Sequence, residues 1–273
     1  MTVLDTASSG ASTRQAPSHS VTFGMTLVDI GGITRRNLLR ILRTPRLLVF
    51  SSIQPIMFVL LFRYVFAGAI KVPNGLYVDY LMPGIFVQTA LFGGASTAVG
   101  LAADLQGGMI DRFRSLPMAR SAVLAGRTIA DLIRNVVVLV LMVAVGVLVG
   151  FRFRASPGSD VAGLALVLLF GYAFSWVFVT TGLLVKDPET AQVAGFLPLF
   201  PLVFASSAFV PVSTMPGWLQ AFANVQPVSV TVDAVRGLLS GGAVEHWLWQ
   251  SISWGVGIFL VFAILSVRQY RRL

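Results

Sequence analysis

The 273-residue chain has no cysteine, two histidines and few charges. Without cysteine there is neither a disulfide framework nor a thiolate metal site. The histidines are His19, in a Ser-, Thr- and Ala-rich amino-terminal stretch, and His246, beside Trp247. Neither joins a nucleophile or a further metal ligand in any evident pattern, so catalytic residues: none, and metal ligands: none, are expected. The phosphate-binding pattern GxxxxGK[ST] is missing too, which excludes ATP hydrolysis by that device. The chain is therefore expected to carry no cofactor and not to be an enzyme. Charged residues make up 11% of the whole, against roughly a quarter in a soluble globule. Too little charge remains to cover a water-facing surface, and with 56% hydrophobic residues the chain belongs in a bilayer.

What is present is a series of charge-free windows. A crossing of ~30 Å needs roughly 20 apolar residues, which places spans at about 47–66, 80–103, 130–151, 161–185, 191–210 and 247–267. The fifth window is too long for one helix, since residues 190–232 carry no formal charge and contain Pro198, Pro201, Pro211, Pro216 and Pro227. Proline removes a donor and disfavours a helical residue before it. One crossing at 191–210 is therefore expected to be followed by re-entrant half-helices over 211–239, with their irregular backbone shielded from lipid.

Basic residues set the orientation. Fifteen of the 20 lie on one side, among them Arg35, Arg36, Arg40, Arg43, Arg112, Arg114, Arg120, Arg127 and Arg134, while Arg63, Lys71, Arg152, Arg154 and Arg236 lie on the other. The positive-inside rule makes the richer side cytoplasmic. The expected fold class is an all-α integral membrane protein of six transmembrane helices in the inner membrane, both termini cytoplasmic. Residues 1–25 read as a disordered cytoplasmic tail, lacking the apolar run of a signal peptide, and residues 26–273 as the transmembrane domain.

Two amphipathic segments border the spans. Over 27–43, Leu27, Ile30, Leu38, Ile41 and Leu42 share one arc and Arg36, Arg40 and Arg43 the opposite one, as in an interfacial helix. Between spans two and three, Gly107 and Gly108 permit a turn and Pro117 ends two helical turns whose Met109, Phe113 and Leu116 share a face. A solvated loop held inside by its arginines explains the same residues. Buried ionisable groups, the usual mark of ion-coupled transport, are scarce: Arg63, which either snorkels to headgroups or lines a path, and Asp131 with Arg134, placed at i and i+3 to pair with each other.

The run Arg112-Phe113-Arg114-Ser115-Leu116-Pro117-Met118, with Leu124-Ala125-Gly126-Arg127 after it, resembles the cytoplasmic signature of ABC-2-type permeases, above all the daunorubicin-resistance-type drug and lipid exporters of actinobacteria. Met215-Pro216-Gly217-Trp218-Leu219 and Val232-Asp233-Ala234-Val235-Arg236-Gly237 resemble the carboxy-terminal pattern of that family. The resemblance implies the membrane subunit of an exporter for an amphipathic drug, natural product or lipid. Its ATP and Mg would be bound by a separate ATP-binding cassette subunit, two copies per complex, beside a second permease half, identical or homologous; no nucleic acid is implied. It also implies a coupling helix at about 109–118, with Phe113 and Leu116 as anchors, Arg112 and Arg114 as polar contacts, and Met109, Asp111, Pro117 and Met118 completing it. Substrate contact is expected along spans one, two and five, at Gln54, Phe58, Phe62, Arg63, Gln88, Phe92, Phe196 and Phe200. An ion-coupled or passive transporter without an ATPase is the alternative.

Overall fold

A computed structural model describes residues 31–39, 45–70, 72, 75–108, 120–242 and 244–272, with backbone alone at 45–51, 120–123 and 271. All regular structure among these residues is helical. Helix α1 covers 31–39, and α2 runs Pro45–Leu60 and continues as a π-helical segment, Leu61–Phe66. Three long helices follow: α3 Tyr77–Gln106, α4 Arg120–Val149 and α5 Pro157–Val185. Two short ones come next, α6 Pro188–Phe196 and α7 Leu199–Phe204. A 3₁₀ turn, Val212–Thr214, leads to α8 Gly217–Val225 and α9 Pro227–Ser240, and α10 Glu245–Arg272 closes the chain.

Among the described residues, four helices are long and apolar enough to cross a membrane: Tyr77–Gln106, Leu124–Val149, Pro157–Val185 and Glu245–Tyr270; Ser52–Phe66 is a shorter apolar helix. The long helices extend beyond the apolar windows, because polar flanks such as Asp79 and Arg127 continue the backbone ladder into the interfacial layer. The fifth window departs further from expectation. Its helical part is 188–204 instead of 191–210, and it is broken at Leu197 and Pro198. Proline at 198 and 201 deprives the carbonyls four residues earlier of their donors, so the helix restarts once and stops at Phe204.

Helix α3 is the hub. Buried residues occur on all its faces from Tyr77 to Ala102. Helix α5 packs against it through small residues: Gly171 lies on Ala90 and Gly182 on the backbone of Ala98, while Gly94 receives the Phe178 ring. Small residues let the two backbones approach closely where lipid offers no hydrophobic drive for association. Helix α10 lies outside on α5, joined to it by the Thr180 and Ser266 hydroxyls 2.8 Å apart and to α9 by Thr231 and Ser251, also 2.8 Å apart.

The bundle has two distinct ends. At one, Asp79 of α3 pairs with Arg154 at 2.6 Å and accepts from the Arg152 amide. At the other, Asp104 pairs with Arg127 at 2.6 Å. Helix α1 joins the Asp104 end, where Thr34 donates to the Gly126 carbonyl at 3.0 Å. Its Ile33 and Thr34 are buried and Arg35 and Arg36 exposed. The rest of the 27–43 segment lies outside the described residues.

Candidate functional site

The site is a continuous row of phenylalanine rings built from α2, α3 and the broken helix α6–α7. Phe58, Phe62 and Phe66 recur every fourth residue. In an α-helix that spacing drifts by about 40° per step, and the π-helical winding of Leu61–Phe66 holds more residues per turn and opposes the drift. The rings of Phe58 and Phe62 are 6.1 Å apart, and those of Phe62 and Phe66 5.3 Å. Phe196, Phe200 and Phe204 repeat the spacing on α6 and α7. Phe200 and Phe204 stack 6° from parallel at 5.7 Å, and Phe92 of α3 sits between Phe196 at 5.5 Å and Phe200 at 5.8 Å.

Phe209 joins the two rows. Its ring lies 4.6 Å from Phe62, 5.9 Å from Phe58 and 5.2 Å from Phe204. A ladder therefore runs from Phe66 through Phe62, Phe209, Phe204, Phe200 and Phe92 to Phe196. One flank is open, since Phe66, Phe200 and Phe204 are 39 to 46% exposed, whereas Phe209 is buried. Offset and tilted rings at these distances attract each other by about 0.5–1.5 kcal/mol per pair. A planar apolar guest could exchange such contacts ring by ring.

Phe209 reaches that position because residues 205–211 are not helical, and a non-helical stretch beside apolar helices needs partners for its backbone groups. Those partners come from α3 and α9. Tyr77 donates its hydroxyl to the Phe209 carbonyl at 2.8 Å, and Tyr80 to the Ser207 carbonyl at 3.0 Å. Gln226 donates to the carbonyls of Leu202 and Ala205, and the Ser229 hydroxyl accepts from the Ser207 amide. Arg236 donates to the carbonyls of Tyr80 and Ser207, pairs with Asp233, and has its Cζ over the Tyr80 ring, 3.7 Å from the centroid. Asp233 in turn accepts from the Ser207 hydroxyl at 2.9 Å. Gly84 completes the seat, because a Cβ there would collide with the backbone of Ala208.

The structure unites most of the expected path residues. Phe58, Phe62, Phe92, Phe196 and Phe200 are all rungs. Gln88 is one turn from both Gly84 and Phe92 on the same face of α3; it is buried, and its Oε1 has no partner among the described residues. Gln54 is exposed one turn before Phe58. Arg63 is directed elsewhere, donating to the Val149 carbonyl at the end of α4 at 3.4 Å. Phe66, Phe204 and Phe209 were missed. The four-residue spacing from Phe196 to Phe204 was visible in the sequence, but the placing of Phe209 depends on the break. The segment expected to form a coupling helix, with Met109, Asp111, Arg112, Phe113, Arg114, Leu116, Pro117 and Met118, lies outside the described residues. Asp131 and Arg134 do pair, at 3.3 Å. No group of three or more metal-ligating residues occurs among the described residues.

Outside the apolar stretches, Asp187 caps α6. Its carboxylate accepts from the Thr190 hydroxyl and amide at 2.7 and 2.8 Å, and these bonds hold its pKa below the usual carboxylate value.

The chain matches the model of the ABC-2 type transporter family over residues 29–239. It is 34% identical over 227 residues to a daunorubicin resistance ABC transporter permease protein of Streptomyces coeruleorubidus, covering 83% of this chain and 80% of the relative. A probable doxorubicin resistance ABC transporter permease protein of Mycobacterium tuberculosis is 30% identical over 243 residues, 88% of this chain and 87% of that one. A putative transport permease of Cyanophora paradoxa is 26% identical over 251 residues, 90% and 85% of the two chains.

Proposed function

This chain belongs to the ABC-2 type transporter family, and from that membership we propose how it works as the membrane-spanning subunit of an ABC exporter. The α2–π segment and the α6–α7 pair complete six crossings with the four long helices. The positive-inside rule puts the Asp104 end, with Arg127 and Arg134, in the cytoplasm together with both termini, and the Asp79 end outside. The 3₁₀ turn, α8 and α9 form the outer re-entrant region. Residues 109–118 are the coupling helix, seated on a separate ATP-binding subunit that binds ATP and Mg. Two such subunits and a second permease half, identical or homologous, complete the exporter in the inner membrane.

The cargo is an amphipathic drug, natural product or lipid. The single observation that carries this reading is the phenylalanine ladder, whose open flank offers ring faces with almost no hydrogen-bonding groups. Such a surface suits a flat aromatic body, and two of the relatives are named for resistance to daunorubicin and doxorubicin. ATP-driven closure of the partner subunits would push on the coupling helices and switch the path along the ladder from inward to outward access.

Co-reconstitution in vesicles provides the test. With an ATP-binding subunit, ATP should drive accumulation of a fluorescent planar amphiphile, and Phe113→Asp should abolish it while membrane insertion persists. Uphill transport by this chain alone, without that subunit, would overturn the reading.

A further inference from the structure

The seam between α3 and α4 is held by charged and polar side chains along one face of α4. Four side chains of α4, Arg127, Asp131, Arg134 and Asn135, recur at i, i+4, i+7 and i+8, the spacing of one helix face. Each meets a polar or small group of α3. Arg127 pairs with Asp104 at 2.6 Å, both largely buried, and its guanidinium occupies the space a Cβ on Gly100 would need. Asp131 accepts from the Thr97 hydroxyl at 2.5 Å and pairs with Arg134 at 3.3 Å. Arg134 donates to the Ser96 hydroxyl and the Gly93 carbonyl, and Asn135 donates to the Ala90 carbonyl at 3.4 Å. One residue before Arg127, the Gly126 carbonyl accepts from Thr34 of α1.

Buried charge is costly beside lipid and contributes little net stability compared with apolar packing, but its directional bonds fix register. Here such contacts run from the two helix ends that flank residues 107–119 to the middle of both helices, with α1 attached beside Arg127. Resting on the exporter reading above, we infer that this ladder locks α3, α4 and α1 into a single mechanical unit, with Asp104, Arg127, Asp131 and Arg134 as positioning residues that carry displacement of the intervening segment into the spans. An apolar seam would let the two helix ends slide past each other and dissipate the push. The ladder converts it into a joint movement of α3, which bears Phe92 and faces the path.

The experiment uses the full exporter in vesicles and reads substrate moved per ATP hydrolysed. Asp104→Asn and Arg127→Gln should each lower that ratio about tenfold while the complex still assembles and hydrolyses ATP. The exchanged pair, Asp104→Arg with Arg127→Asp, should restore most of it. Because the chain has no cysteine, Asp104→Cys with Arg127→Cys can be bridged by a short bifunctional thiol reagent. Bridging should rescue the ratio that the unbridged double variant loses. A bridge that stops transport would show that the ends separate during the cycle and would overturn the inference. So would single variants that lose thermal stability alone with the ratio unchanged. The bridging arm measures relative motion whatever drives transport, so it judges the seam even if the ATP-dependence of the wild-type chain fails.

Discussion

Helix α3 presents two contrasting faces. Toward α4 it offers Ala90, Gly93, Ser96, Thr97, Gly100 and Asp104, and the contacts are ion pairs and hydrogen bonds. Toward α6, α7 and residues 205–211 it offers Gly84, Gln88 and Phe92, and the contacts are ring packing and close backbone approach. Directional bonds tolerate one register, whereas rings stacked at 5 to 6 Å can trade partners at small cost. The contrast teaches that one helix can be held rigidly on one side and remain re-packable on the other.

The strongest challenge to this contrast is Gly84→Val. The added side chain collides with the Ala208 backbone, which side-chain rearrangement cannot relieve, so a loss of about 3 kcal/mol is expected. It should be seen as a lower unfolding temperature in detergent and as loss of the close approach of Phe209 to Phe62. Next is Thr97→Val on the other face. It keeps the shape but leaves the Asp131 carboxylate short of a buried donor, which should cost about 2 kcal/mol in the same assay. A smaller cost there than at Gly84 is expected; no cost at all would mean that the polar face does not fix register.

Phe62→Leu sharpens the comparison from the path side. Apolar bulk is retained and the ring lost, so about 1 kcal/mol per aromatic contact disappears. Apparent affinity for a planar aromatic cargo should fall roughly fivefold, while an aliphatic amphiphile is moved as before. Equal losses for both would mean that the rung only packs. The smallest effect lies off both faces, at the start of α6. The Asp187 carboxyl is held below its usual pKa by Thr190, so its capping contribution is present at neutral pH and fades as the pH falls through that lowered value. Asp187→Ala should therefore remove a slight acid-side decline in stability, measured as the slope of unfolding temperature between neutral and acidic buffers.

Much of this arrangement was legible in the residues. The windows without charge mark the helices, whose ends run past the windows at polar or charged flanks such as Asp79, Arg127 and Glu245. The spacing of three between Asp131 and Arg134 foretold their pairing, whereas the phenylalanines of spans one, two and five were singled out for substrate contact and not for the stacking of their rings on one another. Arg63 shows the limit, since a charged residue in a half-buried turn can face either way, and only the nearby end of α4 supplies the Val149 carbonyl that captures it. Arg236 shows it more clearly. Nothing local indicates that its guanidinium would serve carbonyls of residues 80 and 207 at once.

Composition and periodicity alone determined that this is an all-helical membrane chain, where its apolar helices run, and which end carries the excess of positive charge, because these follow from transfer energies summed along neighbouring residues. The path of 205–211, the entry of Phe209 between two rows of rings and the polar seam of α3 with α4 were decided only in three dimensions. A broken backbone can sit among apolar helices only where distant side chains satisfy its polar groups, and which side chains arrive there is a property of packing across more than a hundred residues of chain, as between Tyr77 and Phe209, 132 positions apart.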